Sequence, residues 1–281
     1  VNGEVQDISY NEIMKTAIFE GNGEILGQSK DYLDEPITFT DGSPYICNGT
    51  NAGKGSGMDF TSLHNVDGKL FAISQYECGP GSMYMVELNQ DTTTGKLTAK
   101  ADTLKYISQK AEFGGWVHCA GQRTPWNSHL ASEEYEVNAK SPTSDTYYKE
   151  FAKFWKDKSY SPYYYGWTPE VKIGENYEPT YAKHYSMGRF SHELAYVMPD
   201  NKTVYLSDDG TNVGLFMFVA DKEKDLSAGT LYAAKWNQTS SEGVGSANIT
   251  WINLGHATNE EIRTIIDPDN EETMEELKFK Y

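Results

Sequence analysis

Slid by 133 residues, the chain aligns with itself without a gap across two segments. The first covers 59–63, 67–76 and 81–85; the second covers 192–196, 200–209 and 214–218. Each reads as a strand, a tight Asp-Gly or Asp-Asn turn, a strand ending in Ser and two further residues, a Gly loop and a third strand. A unit of this kind cannot bury its apolar face alone, so its recurrence predicts stacked antiparallel sheets. The fold class expected is all-β, a β-propeller. A third, weaker copy lies between the two, in Val117-His118-Cys119-Ala120 and residues 127–134. Unit starts near 57, 117 and 190 imply about four blades in the 281 residues.

Corresponding positions of successive blades face one central axis, so equivalent strand ends converge at one mouth of the channel. Aligning Ser132 with Ser74 and Ser207 sets Glu133 and Glu134 opposite Asp208 and Asp209, and sets Cys119 within a residue of Glu193. The spacing from Cys119 to Glu134 and from Glu193 to Asp208 is 15 in both cases. The register therefore predicts that Cys119, Glu133, Glu134, Glu193, Asp208 and Asp209 approach one another. Gathered carboxylates repel and hold their protons unless cations neutralise them. Hard oxygen donors suit calcium or magnesium, and a thiolate among them suits a softer metal such as iron. Taken singly, each residue has a plainer reading: Glu133-Glu134 as a solvated strand end, Asp208-Asp209-Gly210 as turn chemistry, and Cys119 as a small buried hydrophobe.

Composition narrows the function classes. The 41 acidic and 24 basic residues leave a net charge of −17, against the clustered basic charge that a phosphate-backbone binder needs. Nucleic acid is therefore not an expected partner. No run of about 18 apolar residues is present, so no membrane-spanning helix is expected. Aromatic residues make up 13%, which argues against disorder. The acidic excess has two readings, general solubility or cation binding by some of the carboxylates.

Helical periods are scarce. One is expected over 147–158 and another over 259–266, with Thr258 as N-cap and Glu261 at the capping-box position. The first lies in a segment, 138–186, that holds nine of the 20 tyrosines and reads as a partly helical insertion. Its aromatic residues either pack a lid onto the sheets or wall a substrate site. Three cysteines, Cys47, Cys78 and Cys119, show no zinc-finger spacing. In an exported protein Cys47 and Cys78 can pair, leaving Cys119 as a free thiol or a metal ligand. Residues 221–232 begin like a calcium loop but carry Tyr232 at the twelfth position, so that reading is rejected.

The run Cys119-Ala120-Gly121-x-x-Thr124-Pro125-Trp126, continued by His129-Leu130-x-Ser132-Glu133-Glu134-Tyr135-Glu136, resembles the PhoX-type bacterial alkaline phosphatases. Supporting stretches are Pro80-Gly81-Ser82-Met83-Tyr84, Gly188-Arg189-Phe190-Ser191-His192-Glu193 and Leu254-Gly255-His256-Ala257. The resemblance implies a six-bladed propeller of an exported, periplasmic or extracellular enzyme that releases phosphate from phosphate monoesters. It implies iron and calcium as cofactors and a metal-activated oxygen as nucleophile. By motif match, Cys119 and Glu193 would be iron ligands, and Glu134 with Glu133, Asp208 or Asp209 would bind calcium. A later family segment, roughly ETRRYAA, is not found here. The expectation is thus a partial propeller over 1–281, with the remainder of the fold as its partner. The alternative is a non-catalytic, calcium-stabilised propeller acting as a binding or surface-assembly module.

Overall fold

The computed structural model describes residues 3, 9–46, 57–156 and 158–266. Cys47 and the tail beyond residue 266 lie outside them. A short hairpin, β1 (Glu20–Gly21) with β2 (Glu24–Ile25), precedes three larger antiparallel sheets. The first contains β3 (Met58–Val66), β4 (Lys69–Tyr76), β5 (Met83–Gln90), β6 (Leu97–Ala99) and β7 (Lys105–Tyr106). The second contains β8 (Gln122–Arg123), β9 (His129–Leu130), β10 (Thr168–Ile173) and β11 (Pro179–His184). The third contains β12 (His192–Val197), β13 (Thr203–Asp208), β14 (Leu215–Lys222), β15 (Asp225–Ser240) and β16 (Ser246–Thr258). No one of these sheets closes on itself.

The repeat is a repeat of pairing. Thr61 faces Ser74 in the first sheet, and Leu194 faces Ser207 in the third, each 133 residues on. Both hairpins carry an irregularity at the same place, between Met58 and Thr61 and between His192 and Leu194. The third strands differ by two residues: Ser74 faces Tyr84, whereas Ser207 faces Leu215. The gap-free alignment therefore slips by two after the second strand, a shift that keeps each side chain on its own face because strands have a period of two. The tight turn of the first hairpin places Asp67 and Gly68 both at positive φ, 50° and 79°, which matches the right-handed twist of the flanking strands.

The sheets pack face to face with the second in the middle. Phe71, Ile73, Met83 and Met85 of the first meet Ala131 and Val171 of the second. Leu130 and Met187 meet Ala195, Val197, Val204, Leu206 and Phe218 on the other side. The opposite face of the third sheet leaves Tyr196 and Tyr205 exposed, as the alternation requires.

The Tyr-rich segment 138–186 is divided. Part of it forms β10, which pairs with β9, and β11, which pairs with β10 and completes the second sheet. Another part forms helix α1 (Thr146–Trp155), capped by Asp145, whose carboxylate accepts from Tyr148 N–H at 3.0 Å. Phe151 and Phe154 of α1 join Trp116, Tyr164 and Tyr165 in an aromatic cluster. Helix α2 (Asn259–Ile266) has the expected limits. Its capping box is reciprocal, Thr258 N–H to Glu261 at 2.8 Å and Glu261 N–H to Thr258 Oγ1 at 3.1 Å. Phe218 is fully buried between the second and third sheets. Phe218→Ala should lower the unfolding free energy by about 3–5 kcal/mol, read from the urea midpoint.

Candidate metal centre

The segment after Trp116 runs antiparallel to the segment before Tyr135. His118 bridges to Glu133, Cys119 N–H donates to Ser132 O at 3.3 Å, and Glu134 N–H donates to Val117 O at 3.0 Å. Neighbours along an extended strand point to opposite faces. Cys119 and Glu134 consequently share one face, and His118 and Glu133 share the other.

On the inner face, Glu133 is consumed by the fold. It is fully buried, as is its partner Lys183, whose Nζ lies 2.8 Å from Glu133 Oε1. Trp116 N–H donates to the same oxygen at 3.0 Å, and the N–H groups of Gly166 and Trp167 donate to Oε2 at 3.0 and 3.1 Å. Burial pushes the Glu133 carboxyl up and the Lys183 ammonium down, and their mutual attraction opposes both shifts. All of Glu133's recorded partners belong to this internal network, so the paired reading of Glu133 with Glu134 separates into two roles.

On the outer face the acidic groups gather around one sulfur. Among the described residues, two groups of three place ligand atoms within 4.8 Å of one another: Cys119, Glu134 and Glu193, and Asp59, Glu77 and Cys119. Cys119 belongs to both. Its Sγ lies 3.6 Å from each Glu193 carboxylate oxygen. The strand irregularities explain the convergence: Glu193 sits in the bulge of β12 and Asp59 in that of β3, and bulges re-aim side chains. The backbones are tied as well. Ser132 Oγ lies 2.6 Å from Ala120 O and 2.7 Å from Glu193 O, and the Gln75 side-chain amide donates to Cys119 O. Gly121 permits the close approach of the first sheet, since a Cβ there would stand 2.5 Å from the Phe60 ring.

Asp209 is exposed at the edge of this cluster, with its carboxylate against those of Glu134 and the phenol of Tyr135. Asp208 instead accepts from Gly214 N–H at 3.1 Å and closes the loop after β13. Asp59 and Glu77 escaped the sequence reading. The 133-residue shift sets Phe60 opposite Glu193 and Tyr76 opposite Asp209, so each missed carboxylate stands one residue outside the aligned position. For Asp59 the signal was the bulge, which no alignment of residue types displays, and Glu77 lies just past the end of β4.

The cluster is electrostatically loaded. Burial, and then the charges of Glu134, Asp59 and Glu193, push the Cys119 thiol well above its ordinary value. Burial also raises Glu77, helped by Asp59 and Glu193. Glu134 is pushed up to about 7 by burial, with Asp209 and Glu193 adding to the rise and Tyr135 and Cys119 opposing it. One thiol among several carboxylates is a donor set that suits a thiophilic cation beside hard ones. Cys119 is a free thiol, whereas Cys78 is disulfide-bonded.

Two outcomes follow. Lys183→Met leaves the Glu133 carboxylate buried without its cation and should cost about 3–5 kcal/mol in denaturant unfolding, part of it recovered by adding Glu133→Gln. Glu134 binds its proton more tightly in the folded state than in the unfolded chain. In the ion-free protein its contribution is therefore complete below the ordinary carboxylate range and is lost as pH rises to about 7. Glu134→Gln should flatten that part of the stability–pH profile, and an unchanged profile would contradict the assignment.

The sequence model of the family described as alkaline phosphatase PhoX matches residues 80–278. No curated protein sequence matches. Among solved structures the chain is similar to Pseudomonas fluorescens PhoX in complex with vanadate, a transition state analogue, with a TM-score of 0.50 and 17% identity. The similarity covers 71% of this chain and 49% of that one, so the chain spans about half the length of the solved protein. At this identity the likeness speaks for the fold, and the family match includes Cys119, Glu134 and Glu193 while Asp59 and Glu77 precede it. With well over half of its residues matched by that family, the chain belongs to the PhoX alkaline phosphatases.

Proposed function

We propose that this chain carries a metal-dependent site for the hydrolysis of phosphate monoesters, and that iron and calcium are its ions. The observation that carries the reading is the single thiol shared by two carboxylate groups, with Cys119, Glu134 and Glu193 inside the stretch that the family matches. Cys119 and Glu193 would hold iron, with Glu134 beside them. Asp59, Glu77 and Asp209 offer further oxygen donors for calcium.

When bound, such ions compensate charge on the phosphoryl oxygens and activate the attacking oxygen. The chain's own contribution is preorganisation. Ser132 and Gln75 fix the backbone that bears Cys119, and the bulges of β3 and β12 aim Asp59 and Glu193 inward. Glu133 and Lys183 lock the strand whose next residue is Glu134. No serine nucleophile is needed, and the slowness of uncatalysed monoester hydrolysis fits a clamp of several charges.

The same reading takes the three sheets as successive blades of a six-bladed propeller in a protein exported to the periplasm or beyond. Among the described residues no helix is long and apolar enough to cross a membrane.

The test is a metal analysis of the purified chain together with hydrolysis of a chromogenic phosphate monoester, with and without a calcium chelator. Iron is expected, with activity that the chelator removes. Cys119→Ala should lose the iron and lower hydrolysis by more than about 100-fold. A chain without iron and without chelator-sensitive hydrolysis sinks the reading in favour of a non-catalytic binding module.

A further inference from the structure

Tyr135 follows Glu134 directly, yet Glu134 is 2% exposed and Tyr135 is 41% exposed. It therefore stands at the solvent edge of the cluster. Its backbone adopts φ 51°, a left-handed conformation that costs an aromatic L residue about 1–3 kcal/mol and persists only where its surroundings over-determine it. Three fastenings do so. Tyr135 N–H donates to Ser191 Oγ at 2.8 Å, and Trp116 Nε1–H donates to Tyr135 O at 3.0 Å. The ring stacks on Tyr147 of helix α1, with centroids 6.0 Å apart and planes 4° from parallel. One partner comes from the loop before β12, one from the segment before Cys119 and one from the Tyr-rich segment, so three parts of the chain hold a single phenol in place.

That phenol touches two carboxylates, Glu134 and Asp209. It has one hydrogen to give and two carboxylates beside it, one of them a residue of the thiol cluster. Packing alone explains a buried tyrosine. It does not explain a strained, partly exposed one whose hydroxyl neighbours two carboxylates, one of them in the cluster.

We propose that Tyr135 is the substrate-facing hydrogen-bond donor of this site, giving its phenolic hydrogen to a phosphoryl oxygen of a phosphate monoester, with Tyr147 as the residue that positions its ring. The inference rests on the phosphatase reading. It assigns the Tyr-rich segment a part in the site: α1 supplies the stack that fixes the donor. No bond is made or broken by Tyr135 and its proton stays on the phenol; its effect is to stabilise charge on the oxygen it meets.

Tyr135→Phe keeps the ring, the stack and the backbone contacts and removes only the hydroxyl. In the metal-loaded chain it should lower kcat by about 10–100-fold, somewhat less than the loss of a fully enclosed oxyanion donor. Calorimetry should show weaker binding of inorganic phosphate, while iron and calcium content stay at the wild-type level. Tyr147→Leu should give a smaller loss in the same two readouts, with thermal melting checking that both variants are folded. Wild-type kcat and phosphate affinity in Tyr135→Phe overturn the inference, and so does a loss that follows loss of metal, since Tyr135 would then only orient Glu134. If the wild-type chain itself neither hydrolyses the ester nor binds phosphate, the phosphatase reading falls, and the inference with it.

Discussion

The ion pair between Glu133 and Lys183 holds the middle of the molecule in register. Both side chains are fully buried, so each charge depends on the other and on the N–H groups of Trp116, Gly166 and Trp167. Lys183 also donates to Tyr164 O at 2.9 Å, which binds the aromatic cluster to the same centre. A buried pair of this kind is poor evidence of net stabilisation, but breaking it leaves an uncompensated charge, which ties the two segments to this arrangement. Its consequence reaches the outer face. With Glu133 pinned inward, the pleat of the strand sends Glu134 outward, onto the face that Cys119 shares.

The outer face has the opposite character. Four carboxylates, Asp59, Glu77, Glu134 and Glu193, stand around one thiol, and burial first, then neighbouring charge, pushes Glu77, Glu134 and the thiol upward, with burial alone raising Asp59. The fold maintains this repulsion through backbone ties instead of relieving it by moving the side chains. Ser132 bridges the Cys119 segment to β12, and Gln75 reaches it from β4. Behind Gln75 a buried chain continues through His129, Ser62 and His64 at 2.7, 2.6 and 2.5 Å. Acidic groups gathered on a hydrogen-bonded frame are the condition under which binding a cation gains the most.

Much of the fold is legible in the residues because it rests on local rules. The 133-residue repeat appears as identical pairing of the first two strands, since a strand–turn–strand unit carries its register within itself. Helix α2 begins where its capping box requires. The helix expected over 147–158 starts one residue earlier and stops at Trp155, with Asp145 as its cap. The third strand of the repeat was harder: the loop before it repositions the pairing by two residues, and both registers present the same faces. Strands β10 and β11 were hidden in a segment whose tyrosines drew attention to packing.

The sequence by itself determined the antiparallel units, their turns, the gathering of Cys119 with Glu134 and Glu193, and the family. The family follows from its motif residues, and the rest follow from residue spacing, which survives whatever the sheets do next. Only the tertiary structure decided that Glu133 belongs to the interior, that Asp208 closes a loop, and that Asp59 and Glu77 join the thiol. The physical reason is the same in each case. A side chain's direction depends on pleat and bulge, one residue of difference reverses it, and sheet packing selects which direction is buried.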